Sequence, residues 1–366
     1  MFSDSIIVTA EYLPQSLPLH MDFRISRGAL VAADSVFIRL TDEHGVTGLG
    51  EAAPFPTLTG DTQAIVCDVA EQYLKQVIGL PPAAGLERVH AELRKQLFGV
   101  SPSFLAGLEL ALLDLRARQN GIPLHRCFGD AGQLQQLTDI TLPIMPAADV
   151  GGFWSLYSKC GFLAVKVKVG GQSSAQDADR IEELHRLLPA GIKMSLDGNQ
   201  GCTVTSSLEL LCALKNRGIV PFCFEQPLPE SDFSGMTELT AKSPVSICAD
   251  ELVKTVADAK RVVRERAAHM INLKFMKSGV AESMEIATLA KSAGLGLMIG
   301  GMVETEVGMT ASLHFAAGTG LIDWLDLDTP FFIADRVTTA SPYHAGHAQL
   351  MCPSSPGLGL ELIPPP

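Results

Sequence analysis

Three acids, Asp197, Glu225 and Asp250, end three successive apolar runs in SLDGNQ, CFEQPL and ICADE. If those runs are neighbouring strands of a parallel barrel, ~4.8 Å apart, the three side chains converge on one point. One such acid alone would read as a solvated strand end. Three in consecutive units repel one another unless a cation lies among them. An all-oxygen donor set without His or Cys selects a hard ion, Mg²⁺ ahead of Ca²⁺, with Mn²⁺ as a substitute. Lys166 and Lys168 stand two apart at the end of another run, AVKVK, and so share a face. Lys274 ends the run INLK beyond the acids. Any one of these lysines alone would read as a salt-bridged or phosphate-binding residue. Flanking three acids, Lys168 and Lys274 become two bases facing each other across a metal. A neighbouring ammonium and a metal ion both disfavour the proton on Lys168 and lower its pKa toward that of a useful base.

The chemistry this set predicts is abstraction of a proton α to a carboxylate. A divalent ion on the carboxylate stabilises the enediolate. One lysine removes the proton and the other returns one to the opposite face, inverting the carbon. A β-elimination would need only one base and an acid for the leaving group. Asp326 and Asp328, in WLDLDTP, also share a face, away from the three metal acids, and a substrate ammonium is their natural partner.

The elements that must position these residues are short apolar runs alternating with amphipathic stretches. The runs cover 140–144, 163–169, 193–196, 222–224, 246–248, 270–273, 296–299 and 322–325. Eight strand–helix units in a row predict an α/β fold, a parallel (β/α)8-type barrel over 126–329, irregular at its last helix, with the active site at the C-terminal mouth of the strands. A doubly wound open sheet would carry a glycine fingerprint after its first strand, and none is present. Residues 1–54 read as strands and 62–119 as helices, so 1–125 is expected to form an α+β capping domain. The tail, 330–366, is expected to pack back on it and to fray at Pro364-Pro365-Pro366.

Composition narrows the function. With 28 basic against 40 acidic residues the net charge is −12, which argues against nucleic acid and anionic membranes as partners. The longest apolar stretch, near 294–303, is far short of the ~20 residues of a membrane span, and the start lacks a basic leader, so the expected compartment is the cytoplasm. The eight cysteines form no CxxC pair and read as buried, reduced thiols. His344 and His347 form an HxxH with neither a helix nor a third ligand in view, and read as surface residues. Trp154 and Trp324 read as packing residues.

These residues resemble the enolase superfamily, muconate-lactonizing subgroup, and within it the dipeptide epimerases typified by L-Ala-D/L-Glu epimerase. The resemblance covers nearly the whole chain. It rests on Lys166-Val-Lys168, Asp197, Glu225, Asp250 and Lys274, a set shared with muconate cycloisomerases, o-succinylbenzoate synthases and N-acylamino acid racemases. The DLDTP segment with Asp326 and Asp328 is similar to the motif that binds the substrate α-ammonium in dipeptide epimerases. The resemblance implies a Mg²⁺-dependent enzyme acting on a small-molecule dipeptide and compatible with a homo-oligomer. Lys168 and Lys274 would be the catalytic pair and Lys166 a support for the bound carboxylate. It further implies substrate contacts from Thr141, Met302 and Val303, second-layer roles for Asn199 and Gln226, and cap loops near 20–28 and 52–61 closing over the mouth. Glutamate-selective members use a cap-loop arginine, for which Arg24 is the expected residue, with Arg27 beside it. Whether the C-terminal residue of the dipeptide is acidic, hydrophobic or another type stays open. The rivals are a cycloisomerase or synthase of the same subgroup and a non-catalytic metal-binding relative.

Overall fold

Strand alternation builds the first element. In the computed structural model, which describes residues 5–363, β1 (Ile7–Ile25) pairs antiparallel with β2 (Gly28–Asp42), and β2 with β3 (Thr47–Ala52). The expected cap loop near 20–28 is the closed end of this long hairpin, with a register irregularity between Pro18 and Phe23. The expected fraying of Pro364-Pro365-Pro366 lies outside the described residues. Helices Gln63–Tyr73, Pro82–Arg88 and Pro102–Gln119 follow. The last starts on Ser101, whose hydroxyl accepts from Phe104 N, with Pro102 in the first turn. It lies so close to β3 that a Cβ on Gly50 would stand 2.0 Å from the Gly107 carbonyl oxygen. Only glycine permits this approach.

After β4 (Gln135–Leu137) comes an eight-stranded parallel sheet. Its strands are β5 (Ile140–Leu142), β6 (Ala164–Lys168), β7 (Lys193–Asp197), β8 (Cys223–Glu225), β9 (Ser246–Ala249), β10 (Met270–Leu273), β11 (Gly296–Ile299) and β12 (Trp324–Leu325). They pair in chain order, and a parallel bridge between Thr138 and Leu325 brings the last strand to the first. The strands are covered on both faces, which is why they read as apolar runs rather than alternating ones. Helices follow β5 through β11, several opened by reciprocal caps such as Ser173 with Gln176 and Thr255 with Asp258. Among the described residues no α-helix follows β12, only the short 3₁₀ turns Thr329–Phe331 and Pro342–Ala345, so the barrel is irregular where the eighth helix would lie. The tail strand β13 (Gln349–Met351) pairs antiparallel with β4, and Leu358 N donates to Asp114 of the helix Pro102–Gln119.

Two buried acids of the N-terminal part fasten it to the barrel mouth. Glu51 of β3 accepts from Thr305 N, Thr305 Oγ1 and Gly308 N at 2.7–2.9 Å, at the start of helix Glu306–Thr319. Glu109 accepts from Val280 N and Ala281 N at the start of helix Val280–Ser292. Each meets the positive end of a helix dipole. The cysteines are all unbridged. Cys223, Cys248 and Cys352 are buried, but Cys127 and Cys212 are exposed, so the reading of buried thiols holds only in part. His344, rather than standing free on the surface, places Nε2 2.9 Å from Glu306.

Candidate active site

Each expected barrel residue reaches the mouth because its strand ends there. Lys166 and Lys168 project from β6, Asp197 from β7, Glu225 from β8, Asp250 just past β9 and Lys274 just past β10. In an eight-membered ring β6 and β10 stand opposite, with the three acid-bearing strands between them. Lys168 Nζ lies 2.6 Å from Asp197 Oδ2, and Lys274 Nζ lies 2.7 Å from Asp250 Oδ2, each lysine leaning on the acid of its own flank. Lys166 Nζ lies between, 2.7 Å from Asp326, 2.8 Å from Glu225 and 3.0 Å from Asp197. One cavity is lined by all three lysines together with Thr141, Asp326 and Asp328. Met302 and Val303 line it as well.

The backbone is bent to hold the acids. Asn199 and Gln226, two residues and one residue beyond their acids, have φ of 38° and 29°. Such left-handed geometry costs a non-glycine residue on the order of 1–2 kcal/mol. The bend is held by side-chain bonds: Asn199 N donates to Asp197 Oδ1 at 2.9 Å, and Gln226 Oε1 accepts from Asp250 N at 2.8 Å and Leu252 N at 3.1 Å. Gly300 makes room on the other side, since a Cβ there would stand 2.9 Å from Asp326 Oδ2.

Charge is unevenly shared. Burial alone would raise Asp197, but Lys166, Lys168 and Lys274 outweigh it and bring its carboxyl to about 2. Against the same burial, Lys274 and Lys277 hold Asp250 well below the carboxylate range. Burial and the neighbouring Asp197 push Glu225 up to about 7, against the pull of Lys166. Burial and Asp250 push Glu251 up to about 8. For Lys166, burial favours the neutral form, yet Asp197, Asp326 and Glu225 hold its pKa well above the ordinary value.

Several buried oxygens here lack a hydrogen bond: Glu225 Oε2, Asp250 Oδ2, Glu251 Oε2, Asn199 Oδ1 and Asn272 Oδ1. Glu225 Oε2 and Asp250 Oδ2 do lie 2.8 and 2.7 Å from ammonium groups, but in poor alignment. A buried carboxylate oxygen without a donor is costly, and a cluster of them without nitrogen or sulfur fits a hard divalent cation. By this measure the residues present suit Mg²⁺.

One expected contact residue stands apart from the others. Arg24 lies outside the cavity, its side chain 60% exposed and 3.4 Å from Asp22. The reason is the strand period: Phe23 and Ile25 face inward, so the residue between them faces out. Other residues were not anticipated. Asp139, just before β5, lies with Asp326 and Asp328 in a buried group whose carboxylate oxygens fall within 4.8 Å of one another. Trp324, read as packing, donates from Nε1 to Asp139 at 3.1 Å. Burial and the nearby Asp326 push Asp328 up to about 7, although Thr141 N donates to it at 2.5 Å. Lys277 donates to Asp250 Oδ1 at 2.7 Å and to the Asn272 carbonyl at 2.8 Å. Its only signal in the sequence is the three-residue spacing from Lys274 in LKFMK.

A barrel irregular at its last helix, capped at the mouth and carrying acids on three adjacent strands between two lysines, defines a class that the family comparisons also identify. Residues 7–129 match the mandelate racemase / muconate lactonizing enzyme N-terminal domain, and residues 154–365 match the enolase C-terminal domain-like family. The chain belongs to this mandelate racemase / muconate lactonizing enzyme family of the enolase superfamily. Among its relatives, an aromatic dipeptide epimerase of Herpetosiphon aurantiacus is 37% identical over 334 residues, 91% of each chain. A hydrophobic dipeptide epimerase of Citrifermentans bemidjiense is 37% identical over 356 residues, 94% of each. The structure of a dipeptide epimerase from Enterococcus faecalis complexed with Mg and L-Leu-L-Tyr superimposes with a TM-score of 0.92 at 29% identity, covering 97% of this chain and 99% of that one.

Proposed function

We propose that the protein is a Mg²⁺-dependent dipeptide epimerase that inverts the α-carbon of the C-terminal residue by 1,1-proton transfer. The observation that carries this reading is the opposition of Lys168 and Lys274 across one cavity, with three acid-bearing strands between them. Asp197, Glu225 and Asp250 hold the metal. The ion, when bound, supplies Lewis-acid neutralisation of the charge that develops on the substrate carboxylate. Lys166, fixed by three acids, supports that carboxylate. Lys168 removes the α-proton of the L epimer, and Lys274 delivers a proton to the opposite face of the enediolate; the reverse reaction exchanges their roles. Asp326 and Asp328 hold the ammonium of the N-terminal residue, while Thr141, Met302 and Val303 lie along the dipeptide backbone.

The ammonium pocket separates this reading from a cycloisomerase or synthase, which has no use for three buried carboxylates beside β12. Asp328→Asn should raise KM for free dipeptides about tenfold or more with a smaller change in kcat, the scale of one charge-assisted hydrogen bond. Because the Asp328 proton leaves near pH 7, only the ionised form binds an ammonium well. KM should therefore fall as pH rises from about 6 to about 8, where the substrate amine itself begins to lose its proton. The slope should flatten in Asp328→Asn. Steady-state kinetics on free and N-acetylated dipeptides check both statements. The reaction itself is tested by screening L,L-dipeptide libraries in deuterated water with Mg²⁺ for mass gain at the C-terminal residue. Absence of exchange from every member contradicts the proposal.

A further inference from the structure

We infer that the substrates are dipeptides whose C-terminal residue carries an apolar side chain; the inference rests on the epimerase reading above. Four groups leave the reacting carbon. The α-hydrogen must lie on the line between Lys168 and Lys274. The carboxylate belongs with Lys166 and the metal acids. The peptide nitrogen leads toward Asp326 and Asp328. One direction remains for the side chain, outward from the strand ends toward the N-terminal cap. There the cavity is walled by Phe23 and Ile25 from the hairpin end and by Phe55 and Leu58 from the loop after β3. All four are buried.

Among the described residues, no cation of this wall is free to meet an acidic side chain. Lys166, Lys168 and Lys274 are the cations lining the cavity, and each is within 2.7 Å of a carboxylate of the site. Arg24 is turned outward by strand alternation. The apolar wall is also held in place by contacts of its own. Phe55 N donates to Thr59 Oγ1 at 2.8 Å, Leu58 N donates to the Phe55 carbonyl at 2.8 Å, and Phe23 packs edge-on to Phe332 with centroids 5.2 Å apart. A glutamate carboxylate entering here would lose its water without gaining a partner, whereas Leu or Phe would trade water for apolar contact.

Specificity constants for L-Ala-L-Leu, L-Ala-L-Phe and L-Ala-L-Glu, read as deuterium incorporation at the C-terminal residue, test this. The apolar dipeptides should exceed L-Ala-L-Glu by on the order of a hundredfold. Leu58→Arg should lower the L-Ala-L-Leu constant and raise the L-Ala-L-Glu constant, each about tenfold, and Ile25→Arg provides a second placement if the first does not fold. Arg24→Ala should leave the preference unchanged. L-Ala-L-Glu turned over as well as or better than the apolar dipeptides, with loss of that activity in Arg24→Ala, overturns the inference and leaves the epimerase reading standing. Exchange from no dipeptide at all overturns the epimerase reading, and the inference falls with it.

Discussion

Lys274→Ala should abolish epimerisation, lowering kcat about a thousandfold or more, while the α-proton of one epimer still exchanges with solvent. The size is that of a lost general acid–base group. The asymmetry is the more telling part. With Lys274 gone, Lys168 can still take a proton from its own face and return one there, so the L epimer exchanges without inverting. Lys168→Ala should give the mirror result, with exchange confined to the D epimer. The fold should survive Lys274→Ala, because Lys277 keeps Asp250 paired at 2.7 Å. It should survive Lys168→Ala because Lys166 stays 3.0 Å from Asp197. Nuclear magnetic resonance of each pure epimer in deuterated water, alongside thermal melts of the variants, checks all of this. Equal loss of exchange from both epimers in a folded variant would assign the lysines a shared role instead of opposed ones.

Asp250→Asn should nearly eliminate turnover and weaken Mg²⁺ binding at least tenfold. Asp250 is fully buried and its two oxygens each lie 2.7 Å from an ammonium, those of Lys274 and Lys277. An amide removes the charge proposed to hold the metal and leaves both lysines partly uncompensated, at a cost on the order of 3 kcal/mol for breaking a buried pair. Two measurements separate these effects. Calorimetric titration reports the Mg²⁺ affinity directly. Thermal melts with and without Mg²⁺ report linkage, since an ion that binds only the native state raises Tm as its concentration passes Kd. The parent protein should gain stability with added Mg²⁺ and lose it with a chelator, whereas Asp250→Asn should melt lower and respond little to either.

Much of this site is legible in the sequence because the chemistry lies where periodicity changes. A fully covered parallel strand is a short apolar run, and a charged residue ending it is conspicuous: Asp197, Glu225, Asp250 and Lys274 all stand out in this way. The residues that escape notice lack such a frame. Asp139 precedes β5 instead of ending it, and its company with Asp326 and Asp328 arises only when the last strand meets the first through the bridge of Thr138 to Leu325. Phe23, Ile25, Phe55 and Leu58 look like core residues of the cap, and so they are by burial; that they also wall the cavity depends on how Glu51 and Glu109 fasten the cap to the mouth. Arg24 shows the converse. Its type suits an acidic substrate, but one place along a strand decides whether it faces the cavity or the solvent, and pairing between β1 and β2 turns it outward.

The central claim is that two different groups handle the proton on the two faces of one carbon. Its most direct measurement is the isotopic content of product formed in the first turnovers of an unlabelled L,L-dipeptide in deuterated water. If Lys274 supplies the new hydrogen, every early product molecule carries one deuterium at the inverted carbon. Product that keeps the substrate's own hydrogen would mean that a single group carries it from face to face, and would contradict the account.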